Sequence, residues 1–365
     1  MSDKTKRGLI KLLVLIISLY FFLLSIKLLG FSFKLFGKDF AESMIQMTAN
    51  PFAGLIIGIV ATSLIQSSST TTSIVVGLVA GGALTLDNAI PIIMGANIGT
   101  TITNTLVSMG HISKRIEFKR AFSASIVHDF FNICSVIVLF PLELNFHLIA
   151  KSAAFLEKGF AGAGAMKMFN PLKFILDPAV DIISYLFSYL PLASIFLAIF
   201  SVIMLFTALS FLIKTIRSMV LDKIEFIINQ YLFRNDLLGF SLGILLTLIV
   251  QSSSVTTSLI VPLAGAGVIT IRQIFPYTVG ANIGTTGTAI LAALATQNDI
   301  AVTVAFAHLC FNIFGIAIFY PLKFIPIKLA LFVGEKASKS TRNLVLFITI
   351  YILLHFIPVM LIFIT

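Results

Sequence analysis

Gln66-Ser67-Ser68-Ser69 returns as Gln251-Ser252-Ser253-Ser254, each time inside an otherwise apolar stretch. Unpaired polar groups cost several kcal/mol each, roughly, when lipid surrounds them. Such a block is therefore expected to have partners or a ligand. Serines at the start of a helix cap it and leave backbone N–H groups free, and a helix N-terminus favours anions through its dipole. Two such ends meeting would place six hydroxyls and two amides around a small tetrahedral oxyanion without a permanent positive charge. The plainer alternative is that the hydroxyls only tie packed helices together.

A second constellation follows each block. Gly-Ala-Asn-Ile-Gly-Thr-Thr occupies residues 95–101 and again 280–286. Its glycines are spaced for close helix contact. Its oxygen-bearing groups are Asn97, Thr100 and Thr101 in one copy and Asn282, Thr285 and Thr286 in the other. Beside an unwound backbone, these oxygens suit a hard cation such as Na+. Small-residue packing alone is the competing reading. Asp129, in the stretch His128-Asp129-Phe130-Phe131-Asn132, is a carboxylate inside an apolar segment and by default a functional candidate. It would supply negative charge to a cation and set the charge moved with it, unless it is simply paired with His128. Asn132 and its counterpart Asn312 complete the expected cation set. His128 and His308 stay open between a ligand role and hydrogen bonding within a bundle.

These motifs belong to an internal duplication. A shift of 185 lays residues 50–105 over 235–290 without a gap, and about 25 of the 56 pairs are identical, too many for chance similarity of apolar segments. A shift of 180 then brings His128, Asn132 and Pro141 onto His308, Asn312 and Pro321. The loop after the first block carries Lys114, Arg115, Lys119 and Arg120, whereas its counterpart at 296–299 has no basic residue. The positive-inside rule places these equivalent loops on opposite faces, so the copies are expected to be inverted. Spans near 88–109, 119–141 and 192–218 separate the two serine blocks, and an odd number of crossings gives the same inversion.

Composition sets the frame. The chain is 58% hydrophobic and only 11% charged, against about 25% charged in soluble domains. The fold class expected is therefore an all-α integral membrane protein, an inverted-repeat transporter with two re-entrant helical hairpins, at about 50–85 and 235–270, and discontinuous helices. The expected organisation is an N-terminal half over 1–142, a connector over 143–190 and a C-terminal half over 191–365. Residues 222–236 read as an interfacial helix and 342–364 as a final span. Lys4, Lys6, Arg7 and Lys11 precede an apolar run at 12–29 that is too long for a signal peptide and lacks a cleavage site. It reads as a first span with a cytoplasmic N-terminus. The net charge of +10 lies in short loops, so no nucleic-acid partner is expected. Cys134 and Cys310 sit in apolar segments and read as packing residues, with neither a disulfide nor a metal site implied.

The paired Gln-Ser-Ser-Ser blocks, each followed by Gly-Ala-Asn-Ile-Gly-Thr-Thr, resemble the type II sodium-dependent phosphate cotransporter family over roughly 45–142 and 235–325. The resemblance implies Na+-coupled symport of inorganic phosphate by alternating access in a plasma membrane, with Na+ as coupling ion, no cofactor, and the lipid bilayer as surroundings. Phosphate would lie at Gln66, Ser67, Ser68, Ser69, Gln251, Ser252, Ser253 and Ser254, with Na+ in adjoining sites. In the family, the Asp of the element matching His128, Asp129 and Asn132 is linked to electrogenic transport. Two departures stand out. Animal members carry a long glycosylated loop where this chain has only 143–190. They also carry acidic and polar residues where this chain has His111 and Lys114. The short chain and its Lys, Ile and Phe content point to a prokaryotic member. A phosphate exporter or uncoupled pathway on the same fold would bear the same motifs. Capped hairpins argue against an open channel. An enzyme is not expected, because the serines have no base nearby in sequence and no Gly-x-Ser-x-Gly elbow.

Overall fold

The computed structural model describes residues 3–100, 102–162, 170–231, 235–340, 342–347 and 349–350. Among these the regular elements are all helical. Helix α1 (Asp3–Leu35) leads into α2 (Lys38–Met47) and the first hairpin, α3 (Pro51–Ile65) and α4 (Ser68–Ala80). Then come α5 (Leu86–Gly99), α6 (Ile102–Ser108), the long α7 (Arg115–Phe146), α8 (Leu148–Gly162) and α9 (Asn170–Ser188). The second half runs through α10 (Ala193–Tyr231), α11 (Asp236–Val250), α12 (Ser253–Ser258), α13 (Ile260–Gly265), α14 (Ile271–Thr296), α15 (Asp299–Phe319) and α16 (Phe324–Ser338).

Six segments are long and apolar enough to cross a membrane: Gly8–Leu35, Leu86–His111, Arg115–Phe146, Ala193–Ile216, Ile271–Thr296 and Asp299–Phe319. Three of them fall between the serine blocks, at the places expected. The outermost are α1 and α10, which pack along each other. Each exposes one apolar face, with Leu9, Leu13 and Ile16 on α1 and Ile199 and Ile203 on α10. Helices α5, α7, α14 and α15 are largely enclosed. Such a layout, apolar both inside and outside, is that of a multi-pass membrane protein.

The breaks at the serine blocks follow from local chemistry. Asn50 caps α3, its Oδ1 accepting the Phe52 N–H at 3.0 Å, and Pro51 fills the first helical position. The helix ends where Gln66 turns left-handed (φ 56°), its N–H donated to Thr62 O at 2.7 Å. Ser67 then caps α4 by accepting the Thr70 N–H at 3.2 Å. The second copy repeats this with Asn235, Gln251 (φ 59°) and Ser252, whose hydroxyl accepts the Val255 N–H at 3.3 Å. Helices α3 and α11 have 15 residues each, about 22 Å of rise, shorter than a hydrocarbon core of about 30 Å.

Glycines let the hairpins approach their neighbours closely. Helix α3 packs on α5 and α11 on α14. A Cβ at Gly58 would lie 1.9 Å from Ile92 O, and one at Gly95 1.9 Å from Leu55 O. At Gly243 and Gly280 the equivalent distances are 2.1 Å to Tyr277 O and 2.2 Å to Phe240 O. The halves also interlock, since α4 packs against α14 and α15 while α7 packs against α13 and α16.

Two expectations change. Residues 222–231 do not form a separate interfacial helix but continue α10, a single helix of 39 residues. The 280–286 block is not unwound: it lies within the unbroken α14. Thr285 and Thr286 turn their hydroxyls back onto Ala281 O (3.0 Å) and Ile283 O (2.7 Å), so the helix absorbs its polar side chains instead of opening for them. The connector contains two helices, α8 and α9, and α7 runs to Phe146, beyond the expected span end. Cys134 and Cys310 are free and sit in packing positions. Thr101 and most of the expected final span, residues 351–364, lie outside the described residues.

Candidate functional site

The two serine tips are in contact. Ser69 Oγ lies 3.5 Å from Gln251 O, and Ser254 Oγ donates to Thr100 O at 3.3 Å. Each hairpin is pinned across its own break by a threonine pair, Thr62–Thr71 at 3.0 Å and Thr247–Thr256 at 2.8 Å. Most hydroxyls that follow are spent inside their helices. Thr72 bonds Ser68 O at 2.5 Å, Ser73 bonds Ser69 O at 2.8 Å and Thr257 bonds Ser253 O at 2.7 Å.

What is left over is matched between the copies. Ser68 and Ser253, the first helical residues of α4 and α12, are 4% and 3% exposed. Their hydroxyls make no hydrogen bond among the described residues. The N–H groups of Ser68, Ser69, Ser253 and Ser254 have no intrahelical acceptor, because they occupy the first turn. The site therefore offers donors on two helix ends and no fixed cation, a chemistry suited to a desolvated oxyanion.

Behind the tips lies a buried amide–imidazole cluster that joins the halves. His128 Nε2 is 2.5 Å from Asn282 Oδ1, and His308 Nε2 is 3.3 Å from Asn97 Oδ1, so each half's histidine meets the other half's asparagine. Asn132 donates to Asn97 O at 2.7 Å, and Asn312 donates to Asn282 O at 3.2 Å. Asn282 Nδ2 also donates to Asn132 Oδ1 at 2.7 Å. All six side chains are 4% exposed or less. The cluster thus collects Asn97, Asn132, Asn282 and Asn312 of the expected cation set together with both ambiguous histidines.

Asp129 stands apart from that cluster. It is 4% exposed, and neither carboxylate oxygen has a hydrogen-bond partner. It is not paired with His128, whose ring reaches Asn282 with Nε2 and leaves Nδ1 unbonded. Asn312 Oδ1 is also unbonded and buried. Thr100 and Thr285 donate to Ala96 O and Ala281 O, both at 3.0 Å, and each hydroxyl retains lone pairs. Amide, hydroxyl and carboxylate oxygens are hard donors, the class that hard cations accept.

The structure adds residues that the motif reading passed over. Thr288 Oγ1 donates to Gln251 Oε1 at 2.7 Å, tying the second tip to α14. Asn104 and Thr257 bond each other through both amide atoms, at 2.8 and 3.2 Å. Tyr277, fully buried, donates to Thr256 O at 3.1 Å. Thr288 had a visible signal, since Thr103 occupies the same place in the first copy. Asn104 had none, because its counterpart is Ala289. The copies differ here: the Gln66 side chain is exposed and makes no hydrogen bond among the described residues, while Thr103 Oγ1 is buried without a partner among them.

Replacing Asn282 by alanine removes two buried contacts and strands His128 and Asn132. The expected cost is on the order of 3 kcal/mol. It should exceed that of Asn97→Ala, whose contact with His308 is longer. The apparent melting temperatures of the two purified variants in detergent test this order, and equal values would show that the cluster is not stressed at Asn282.

Comparison with known proteins places the chain in a family. A family model described as Na+/Pi-cotransporter matches residues 21–170 and 190–353. Sodium-dependent phosphate transport protein 2B of Homo sapiens is 32% identical over 444 residues, covering 95% of this chain and 64% of that protein. Sodium-dependent phosphate transport protein 2A of Rattus norvegicus is 33% identical over 413 residues, covering 92% and 65% respectively. The chain therefore spans a little under two thirds of the length of these relatives. No solved structure matches it. With the family model covering both duplicated halves, this chain belongs to the Na+/Pi-cotransporter family.

Proposed function

We propose that the chain is a secondary transporter that couples Na+ to the symport of inorganic phosphate by alternating access. The observation that carries the reading is the pair of unbonded Ser68 and Ser253 hydroxyls at the starts of two helices whose tips touch. Phosphate would bind there, held by those hydroxyls and the first-turn N–H groups, with Gln66, Ser67, Ser69, Gln251, Ser252 and Ser254 shaping the walls. Na+ would take oxygens from Asn97, Thr100, Thr101, Asn132, Asn282, Thr285, Thr286 and Asn312, with Asp129 as the charge that offsets it. Cation first and anion second is the favoured order, because an ion of one sign alone is costly in a desolvated cavity.

In this reading the α3–α4 and α11–α13 hairpins are re-entrant and the halves are inverted repeats. The 1–142 and 191–365 halves would rock against each other about the shared cluster, with 143–190 as connector. The basic start of α7, with Lys114, Arg115 and Lys119, would face the cytoplasm, as would the N-terminus, with the protein in a cell membrane.

The test is phosphate uptake by proteoliposomes of the purified chain under an inward Na+ gradient. Uptake should stop when K+ replaces Na+. The Ser68→Ala and Ser253→Ala variants should each weaken apparent phosphate affinity about tenfold or more, the loss expected for one hydrogen bond to a charged ligand. Uptake that is indifferent to Na+ would exclude the coupling, and unaltered affinity in both serine variants would exclude the site.

A further inference from the structure

The two copies of the repeat carry the same polar residue types but hold them in different conformations. His128, Asn132, Asn97, Gln66 and Thr103 match His308, Asn312, Asn282, Gln251 and Thr288. Within the buried cluster the matched contacts are tighter at α7 than at α15. His128 lies 2.5 Å from Asn282, against 3.3 Å for His308 and Asn97. Asn132 reaches Asn97 O at 2.7 Å, whereas Asn312 reaches Asn282 O at 3.2 Å. Asn282 Nδ2 donates to Asn132 Oδ1 at 2.7 Å. Its counterpart Asn97 Nδ2 turns instead to Ile93 O at 2.9 Å and leaves Asn312 Oδ1 buried and unbonded.

The tips differ in the same way. Thr288 Oγ1 donates to Gln251 Oε1 at 2.7 Å, while the Gln66 side chain is exposed and Thr103 Oγ1 is buried without a partner among the described residues. The backbone differs with them: α14 runs unbroken through Thr285, whereas α5 stops at Gly99 with Thr100 in a turn. The side chains themselves do not explain these differences, being of the same types in both copies. A buried polar atom left unpaired is costly, and Thr103 and Asn312 each carry one. Both atoms gain partners if a second state of the protein holds the first copy as the second is held here. One bond then forms for each that opens, so these bonds favour neither state.

We propose that Thr103 and Asn312 are positioning residues of the opposite-facing state, in which the two copies exchange conformations. There Thr103 Oγ1 donates to Gln66 Oε1 and Asn97 Nδ2 donates to Asn312 Oδ1, while Thr288 releases Gln251 and Asn282 releases Asn132. The first tip is the open one here, and the second tip is the open one there. The inference rests on the alternating-access reading and adds to it the residues that hold each state.

The test is hydrogen–deuterium exchange, read by mass spectrometry on the purified full chain in lipid nanodiscs, in K+ buffer without phosphate. Thr103 Oγ1 has no partner here among the described residues, so Thr103→Val should fold normally and lose only a bond of the opposite-facing state. Amides of the second tip, residues 250–254, should then exchange about fivefold more slowly, the effect of one hydrogen bond on a two-state ratio. Thr288→Val loses a bond of the present state and should speed exchange at the same amides about fivefold. The double variant should return to near the wild-type rate, as should Thr103→Ser, which keeps the hydroxyl. A purely structural role for these threonines predicts faster exchange in every valine variant and slowing in none. Exchange at the second tip that is unchanged or faster in Thr103→Val, or a Thr103→Val chain that misfolds, would overturn the proposal. The measurement contains neither Na+ nor phosphate, so its failure is distinct from a failure of Na+-dependent uptake.

Discussion

Asp129→Asn protein is expected to lose its Na+-dependent stabilisation while melting at or above the wild-type temperature in Na+-free buffer. The two effects have one cause. Asp129 is buried with both oxygens unbonded, so in the absence of a cation it is an uncompensated polar group in the bundle. Asparagine has nearly the same shape and no charge to desolvate. A bound Na+ would reverse the balance. At about 100 times its dissociation constant, a ligand specific to the folded state adds about 2.7 kcal/mol, and the variant should forgo this. Thermal melts of both proteins across a Na+ series, with K+ holding ionic strength constant, measure the difference. Currents provide a second readout: the variant should retain some phosphate uptake but carry no net charge per cycle. If the Na+-induced shift and the currents both survive the substitution, Asp129 does not hold the cation.

The largest structural effect is expected at the helix crossings. Gly58→Ala would drive a methyl group to 1.9 Å from Ile92 O, and Gly243→Ala would bring one to 2.1 Å from Tyr277 O. The obstacle is backbone in both cases, so no side-chain rotation relieves it and α3 or α11 must move off its partner. Overpacking a core costs about 1–3 kcal/mol when side chains can yield, and here the cost should exceed that range. The displaced helix also carries a serine tip, so phosphate uptake should fall together with folded yield. Gly159→Ala is the control. It lies in α8 with nothing within 4 Å of the added methyl, and the helix should gain up to about 1 kcal/mol. Size-exclusion profiles and melts of the three variants in detergent check the ranking. A Gly58→Ala protein as stable as Gly159→Ala would mean that α3 and α5 are not in backbone contact.

The hairpin breaks were legible because their causes are local. Gln66 and Gln251 end their helices, and Ser67 and Ser252 restart them within the next residue, through bonds that span at most four positions. The duplication was equally legible, and with it the matched glycines that bring α3 onto α5 and α11 onto α14. The unwound backbone expected at 280–286 was misread for a related reason. Oxygen-rich residues in an apolar stretch need partners, but threonine can find one in the helix's own carbonyls, and Thr285 and Thr286 do so.

By itself, then, the sequence determined the membrane setting, the two helix breaks at the serine blocks and which polar residue types stand inside apolar segments. Tertiary structure alone decided which of them meet. His128 reaches Asn282 across 154 positions, and His308 reaches Asn97 across 211. Periodicity cannot encode such pairings, because they depend on how one half packs into the other. The difference between Gln66, exposed, and Gln251, whose side chain Thr288 holds, is likewise tertiary, since both glutamines end their helices left-handed and both are followed by three serines. Shared local chemistry fixes matching helix ends. Only the surrounding packing decides which polar atoms find a partner and which, like Asp129 and the Ser68 and Ser253 hydroxyls, are left without one among the described residues.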